Sequence, residues 1–228
     1  MVSLKVVQQS NAQVANLPRG LVALFIGATS GIGESALQHF AQHAPAPRIY
    51  TVARPSTAAS HEKLISSLRL SKPEGTYKLI TADVSLVSEI DKVVKAVVNK
   101  ETKIDFLVII VHWFPGPVTT PGLERAQKHG MNIPDPMSQE ESGARALFLA
   151  TSDRYAVQKG LVAVPEGVEM AEKTRGGIFL VGPLGETIDK EVVLTDMRER
   201  GVGEAVWNFT QMVFAASVAQ SDERRDEL

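Results

Sequence analysis

Gly27-Ala28-Thr29-Ser30-Gly31-Ile32-Gly33 is the stretch that decides the fold, and it follows an apolar run at residues 21–26. From its end onward, apolar side chains recur at helical spacing, at Ile32, Ala36, Leu37, Phe40 and Ala41. The pattern predicts a buried strand, a glycine-rich turn and a helix. Glycine suits such a turn because a Cβ would keep a phosphate group away from the amides that begin the helix. The arrangement is typical of a turn that binds a dinucleotide.

Strands and helices alternate after this first helix. Runs rich in strand-forming residues lie at 48–53, 77–81 and 106–111. Apolar spacing predicts a helix in each interval, and Ser88 with Asp91 resembles a capping box for the second of these helices. We therefore expect an α/β fold, a doubly wound Rossmann-like parallel sheet covered by helices on both faces. The 228 residues, 44% of them hydrophobic, favour one domain spanning residues 1–228.

The regular pattern stops after Val111. Residues 114–136 contain five prolines and three glycines, which favours loop or short helix. Ser138 and Glu141 have the form of a capping box, and the spacing beyond them predicts a helix that runs towards Tyr155. We expect a last short strand at residues 177–181. We also expect the final helix to pack on the core through an apolar face made of Val206, Phe209, Met212 and Val213.

The composition argues against several classes of protein. A formal net charge of -2 and the lack of a basic block make a nucleic-acid partner unexpected. No apolar run approaches the roughly 18 residues of a membrane span, and polar residues interrupt the N-terminus where a secretion leader would lie. The chain has no cysteine, which agrees with a cytoplasmic location. His39 and His43 lie four residues apart and indicate a solvated helix face, so we expect no metal site.

The spacing of Gly27, Gly31 and Gly33 resembles the TGxxxGxG motif of the short-chain dehydrogenase/reductase family, with Ile26 in place of the leading Thr. In that family the turn receives the pyrophosphate of a nicotinamide cofactor at the start of the helix. The resemblance implies that the cofactor is bound by Gly27, Thr29, Ser30, Gly31, Ile32 and Gly33. The alternative is a purely structural turn.

Two further positions resemble the adenosine site of that family. Asp83-Val84 follows the third strand and resembles the family's Asp-Val pair, whose carboxylate bonds the adenine; the alternative is a helix-capping Asp. Arg54 follows the second strand, where a guanidinium pairs with a ribose 2′-phosphate and an acidic residue would accept a 2′-hydroxyl. We therefore expect NADP rather than NAD, the alternative being a solvated surface arginine.

The segment Pro115-Gly116-Pro117-Val118-Thr119-Thr120 resembles the family's P-G-x-V-x-T segment, which touches the nicotinamide end of the cofactor. A Pro-Gly turn after any strand is the alternative. Residues 147–152 and 201–214 also resemble fungal short-chain dehydrogenases of the secondary-metabolism type. The resemblance implies an NADP(H)-dependent oxidoreductase acting on a carbonyl or hydroxyl group of a small metabolite.

A central part of the family pattern is missing from this sequence. Family members place two helices and two strands, with the catalytic Ser and the Tyr-x-x-x-Lys helix, between the fourth strand and the Pro-Gly segment. Here only residues 112–114 separate Val111 from Pro115, and a parallel crossover needs at least about 10 residues. We therefore expect a sheet truncated in its middle, with the fourth and sixth strands fused.

A second Tyr-x-x-x-Lys occurs at Tyr155 and Lys159, with Ser142 thirteen residues before the tyrosine. In the family chemistry the Tyr transfers the proton, the Lys lowers its pKa and the Ser polarises the carbonyl. Ser142 does not follow a buried strand, however, and one continuous helix would put it roughly 20 Å from Tyr155. The catalytic residues therefore stay unassigned, with Ser142, Tyr155 and Lys159 as candidates only.

The sequence leaves three hypotheses open. The first is an oxidoreductase of a small-molecule substrate that is catalytically active or degenerate. The second is a non-catalytic NADP-binding sensor or partner protein. The third is a shortened product of splicing or of an incorrect gene assignment that has lost the centre of its sheet. The substrate, the reaction direction and the oligomeric state are not specified.

Overall fold

A four-stranded parallel sheet forms the centre of the protein. The computed structural model describes residues 1–109, 116–156, 160–175 and 177–226. The strands are β1 (Val22–Ile26), β2 (Arg48–Ala53), β3 (Thr76–Thr81) and β4 (Phe106–Ile109), in the spatial order β3-β2-β1-β4. All three pairs are parallel, and Ile26 at the end of β1 lies between Val52 and Ile109. This is the strand order of the first half of a doubly wound sheet, so the Rossmann-like prediction is confirmed.

Helices cover both faces of the sheet. Over the described residues the α-helices are α1 (Leu4–Ala12), α2 (Gly31–His43), α3 (Pro55–Ser71), α4 (Val87–Val98), α5 (Pro121–Lys128), α6 (Gln139–Thr151), α7 (Glu191–Glu199) and α8 (Val202–Asp226). One core packs α2 and α3 against the sheet through Phe25, Leu37 and Ile65. The other core joins Leu24 to Val93 of α4. The connecting helices α2 and α3 therefore share one face, and α4 crosses the opposite face.

The helix α6 packs against α2 and α1, and its Leu147 joins the core that contains Phe25 and Leu37. A Cβ at Gly143 would overlap the side chain of Ser35, so glycine lets α6 approach α2 closely. Asn11 of α1 donates a hydrogen bond from Nδ2 to the carbonyl of Ala144 at 2.8 Å. As predicted, Ser138 caps α6, and its Oγ accepts from the amide of Glu141 at 3.0 Å.

Three local predictions are wrong. The helix α6 ends at Thr151, because Ser152 turns to extended backbone and a short 3₁₀ turn follows at Asp153–Tyr155. Residues 177–181 form no strand, and Val181 makes only an isolated bridge to Thr187. Ser88 lies inside α4 rather than at its cap, since the helix begins at Val87.

The expected core packing of the last helix is also wrong. The side chains of Val206, Phe209, Met212 and Val213 on α8 are between 46% and 61% exposed. The helix touches α4 and α7, and these contacts leave its apolar residues open. Apolar residues at helical spacing show that a helix has an apolar face, but they do not show that another part of the chain packs against that face.

In the part of the chain that the structure describes, no helix is long and apolar enough to cross a membrane.

Candidate cofactor site

The glycine turn joins the end of β1 to the start of α2. Gly27 and Gly31 have φ of +83° and +64°, and residues with a Cβ rarely adopt such positive φ values. Gly33 has no such φ, but a Cβ there would overlap the carbonyl oxygen of Gly27. The three glycines therefore have two different physical roles: two allow the turn itself, and the third lets the helix begin directly against it.

The start of α2 offers free backbone donors to an anion. Ser30 is the residue before the helix, and within the described residues its side chain makes no capping hydrogen bond. The first amides of a helix have no partner inside the helix, and the helix dipole adds positive potential there. A pyrophosphate group fits this chemistry, and Gly31 itself adds no side chain at the helix start.

Arg54 and Asp83 lie at the carboxyl ends of β2 and β3, beside the turn. Arg54 is exposed, and its carbonyl accepts from the amides of Thr57 and Ala58 at the start of α3, each at 2.9 Å. Asp83 Oδ1 accepts from the amide and the hydroxyl of Ser85, at 3.1 and 2.7 Å. These bonds and the nearby Arg54 charge lower the pKa of Asp83. The structure therefore brings together the two residues that the sequence proposed for the adenosine end.

Asp83 is not the cap of α4. The residue before that helix is Leu86, and the Asp83 carbonyl accepts from the Leu86 amide at 3.0 Å, which closes a turn between strand and helix. Over the described residues, Oδ2 of Asp83 accepts no hydrogen bond and stays open to a ligand donor. Val84 is half-buried and packs against the core under α4.

The segment after the Pro-Gly pair returns to the glycine turn. Gly116 has a φ of +73° and packs on Pro183, whereas Pro115 lies outside the described residues. Thr120 lies against Gly31: a Cβ at Gly31 would be 3.3 Å from Thr120 Cγ2. Thr120 Oγ1 also accepts from the Leu123 amide at 3.3 Å and caps α5. Thr120 is the last residue of the segment that resembles the family's P-G-x-V-x-T segment, but the sequence did not predict its contact with the glycine turn.

Of the candidate catalytic residues, the structure describes Ser142 and Tyr155. Ser142 is fully buried in α6, and no described group bonds its hydroxyl. The Tyr155 hydroxyl donates to the carbonyl of Gly185 at 3.0 Å and accepts from Arg154 Nε at 3.2 Å. Burial raises the pKa of Tyr155, against the lowering that proton transfer at neutral pH requires, and Arg154 only offsets part of that effect. Lys159 lies outside the described residues.

Residues 110–115, where the sequence predicts the fused strand and the missing crossover, also lie outside the described residues.

A cavity of about 360 Å³ lies between α2 and α6, and it is lined by Ser35, Gln38, His39, Gln42, Gln139 and Glu140. All six are polar, so this cavity does not suit a lipophilic substrate. His39 and His43 stack with ring centroids 6.3 Å apart, and among the described residues no group of three or more His, Asp or Glu could hold a metal ion.

Comparison with known proteins identifies the family. The chain is 40% identical over 330 positions to the NmrA-like family domain-containing oxidoreductase notO of Aspergillus sp. (strain MF297-2), with 100% of both chains covered. It is 41% identical over 107 residues to oxidoreductase AN1596 of Emericella nidulans, covering 47% of this chain and 31% of the relative. It is 34% identical over 113 residues to the short-chain dehydrogenase/reductase SAT2 of Stachybotrys chartarum, covering 46% and 30%. The chain belongs to this family of fungal oxidoreductases, of NmrA-like and short-chain dehydrogenase/reductase type.

The matches with AN1596 and SAT2 span about a third of the length of those relatives. Among solved structures, the bulky-bulky ketone specific alcohol dehydrogenase from Comamonas testosteroni is 28% identical with a TM-score of 0.34, covering 40% of this chain and 34% of that chain. No protein-family model matches the chain. The alignment with notO has 330 positions and this chain has 228 residues, so at least 102 positions of that alignment (330 less 228) have no residue here.

Proposed function

We propose that this protein binds NADP(H) along the carboxyl edge of its sheet, as an oxidoreductase-family member whose substrate is the carbonyl or hydroxyl group of a small fungal metabolite. The observation that carries the proposal is the convergence of three elements at one edge: the glycine turn with its uncapped helix start, Arg54 and Asp83. The turn and helix start hold the pyrophosphate. Asp83 Oδ2 accepts from the adenine amino group, and Arg54 pairs with the 2′-phosphate.

The preference for NADP over NAD rests on Arg54. An enzyme that selects NAD commonly has an acidic residue after the second strand, and such a residue would repel a 2′-phosphate. The exposed guanidinium at this position has the opposite charge and can form two parallel hydrogen bonds to phosphate oxygens. Its carbonyl is already used to begin α3, so the backbone at Arg54 is held in place while the side chain is free to reach the ligand.

Titration of NADPH and NADH by cofactor fluorescence tests this proposal. We expect tighter binding of NADPH, and Arg54→Ala should weaken it by roughly 10-fold or more while leaving NADH binding nearly unchanged. Arg200→Ala removes an exposed arginine at the end of α7, far along the chain from the site, and serves as the matched control. Equal affinity of the wild type for both cofactors would refute the selectivity, and no binding at millimolar concentration would refute the site.

A second candidate function is cofactor binding without turnover, and the surroundings of Tyr155 favour it. Its hydroxyl is committed to the Gly185 carbonyl and to Arg154, and the ring packs edge-on against Phe148 at 5.7 Å. At least 102 positions of the notO alignment are absent here, which supports the loss of a segment; we place the gap between Val111 and Pro115.

The variant Tyr155→Phe separates these two functions. If Tyr155 is structural, any NADPH-dependent carbonyl reduction stays unchanged, while the loss of the buried hydrogen bonds lowers the melting temperature by about 2–4 °C. A loss of reductase activity at unchanged melting temperature and NADPH affinity would show instead that Tyr155 is catalytic.

A further inference from the structure

The carboxylate of Asp83 is held in place by Ser85. Oδ1 of Asp83 accepts from the Ser85 hydroxyl at 2.7 Å and from the Ser85 amide at 3.1 Å, whereas no described group bonds Oδ2. A hydroxyl bond of this length to a charged oxygen belongs to the stronger hydrogen bonds in proteins. One carboxylate oxygen is therefore fixed, and the other is left open to a ligand.

The backbone around Asp83 is tied down, so the side chain is the part that can move. The Asp83 carbonyl accepts from the Leu86 amide at 3.0 Å, and the Ala82 amide donates to the Ala53 carbonyl at 3.0 Å. These bonds connect the turn to its own helix and to β2. Asp83 is half-buried and Ser85 is exposed, so the carboxylate borders solvent. Without the Ser85 hydroxyl it could change its rotamer.

Arg54 is the group towards which the freed carboxylate would move. Its charge acts on Asp83, yet among the described residues the Arg54 guanidinium forms no ion pair. The bonds from Ser85 lower the pKa of Asp83 more than the Arg54 charge does. The first turn of α3, which Arg54 precedes, contains no acidic residue that could neutralise the guanidinium instead. Ser85 therefore decides whether Asp83 and Arg54 stay apart.

An ion pair between Asp83 and Arg54 would remove two contacts from the proposed cofactor site. Arg54 would lose donors for the 2′-phosphate, and Asp83 would lose an acceptor for the adenine amino group. Ion pairs at an exposed surface are weak, so two hydrogen bonds from a neighbouring residue are enough to prevent this one.

We propose that Ser85 is a positioning residue of the cofactor site: it keeps the Asp83 carboxylate out of an ion pair with Arg54, so that both charged groups remain available to the adenosine end of NADP(H). The inference rests on the proposed function, because it takes Asp83 and Arg54 as ligands of the cofactor. It adds to that function a residue that acts through Asp83 rather than through the ligand.

Isothermal titration calorimetry with 2′,5′-ADP, the adenosine half of NADP, tests the proposal. We expect Ser85→Ala to bind this probe about 5-fold more weakly than the wild type, because Asp83 then pairs with Arg54. Ser85→Thr keeps the hydroxyl and should bind within about 2-fold of the wild type. The matched control is Ser88→Ala, which removes an exposed hydroxyl inside α4 and should leave the affinity unchanged.

A double variant separates this positioning role from a general effect on the turn. In the Arg54→Ala background no such ion pair can form, so adding Ser85→Ala should weaken binding by less than about 2-fold. An equal loss in both backgrounds would overturn the proposal, because it would show that Ser85 only stabilises the turn. Binding of 2′,5′-ADP by folded Ser85→Ala as tightly as by the wild type would overturn it as well.

The proposed function fails by a different result. A wild type that binds neither 2′,5′-ADP nor NADPH at millimolar concentration would refute the cofactor site and the role of Ser85 together, whereas binding that does not depend on Ser85 refutes that role alone. Thermal unfolding checks that each variant is folded. If Ser85→Ala shows no cooperative transition, Ser85→Cys replaces it, since a thiol is only a weak donor, and the same outcomes decide.

Discussion

Gly33 is the residue on which the shape of the candidate cofactor turn depends most directly. Its missing Cβ gives room to the carbonyl oxygen of Gly27, so Gly33→Ala forces the helix start away from the turn. We expect a loss of about 1–3 kcal/mol of stability and at least a 10-fold weaker NADPH affinity, measured by thermal unfolding and fluorescence titration. Gly203→Ala is the control, because a Cβ there meets open space and alanine favours the helix α8. Unchanged NADPH affinity in a folded Gly33→Ala would show that the turn does not bind the cofactor.

His61 makes the stability of the sheet depend on pH. It is 2% exposed on α3, its Nε2 lies 2.9 Å from Thr51 Oγ1 on β2, and no described group bonds its Nδ1. Burial lowers the pKa of His61 below 6.5, so the unfolded chain binds the proton more readily than the folded chain. The contribution of neutral His61 to the free energy of unfolding is complete above pH 6.5. It decreases as the pH falls below 6.5, by at most about 1.4 kcal/mol per pH unit.

The measurement is thermal unfolding between pH 8 and pH 5. His61→Gln should flatten the decline below pH 6.5, whereas His129→Gln, which changes an exposed histidine, should leave it unaltered. Part of the decline should persist, because burial also lowers the pKa of His43. An identical pH profile in the wild type and His61→Gln would contradict the assignment.

The residues of the candidate site were accessible to sequence reasoning to different degrees. Gly27 and Arg54 directly follow strands and Asp83 lies two residues after β3; because the ends of parallel strands meet at one edge, their convergence could be predicted. The contact of Thr120 with the glycine turn depends on how residues 116–120 fold back, which no local pattern specifies. The commitment of Tyr155 to the carbonyl of Gly185 likewise joins residues 30 apart in a loop region.

Among the elements, α6 shows how strongly a local cap defines a helix. The Ser138 hydroxyl accepts from the amide of Glu141, and Arg145 one turn later pairs with the Glu141 carboxylate at 2.6 Å. Ser138→Ala should therefore cost about 1 kcal/mol, read as a fall of about 2–4 °C in melting temperature. Ser138→Asp restores an acceptor and should recover most of the loss. Equal destabilisation by both substitutions would show that packing around residue 138, rather than the cap, carries the effect.

The strands were predicted more reliably than the helices beyond them. The four strands are short runs rich in β-branched, aromatic and other apolar residues, and local composition suffices to find these; β1 and β2 are buried on both faces, whereas β3 alternates exposed and buried residues. The end of α6 at Thr151 was missed, because Ser152 is compatible with helix, whereas in the structure its extended backbone forms an isolated bridge with Val162 of the following loop. The exposure of α8 was missed for another reason: its apolar residues predicted a cover that the described residues do not provide.

At the scale of the whole molecule, stability should decrease from the sheet towards the C-terminal helices. The strands β1 and β2 are buried between two cores, whereas α5 and α7 contain no buried residue. Local opening costs little where few apolar contacts are lost. We expect backbone amides of β1 and β2 to exchange with deuterium at least 100-fold more slowly than those of α7. Mass spectrometry of peptides from both regions measures this. Similar protection in α7 and β1 would mean that the C-terminal helices unfold together with the sheet, and that the family fold is cooperative here despite its short sheet.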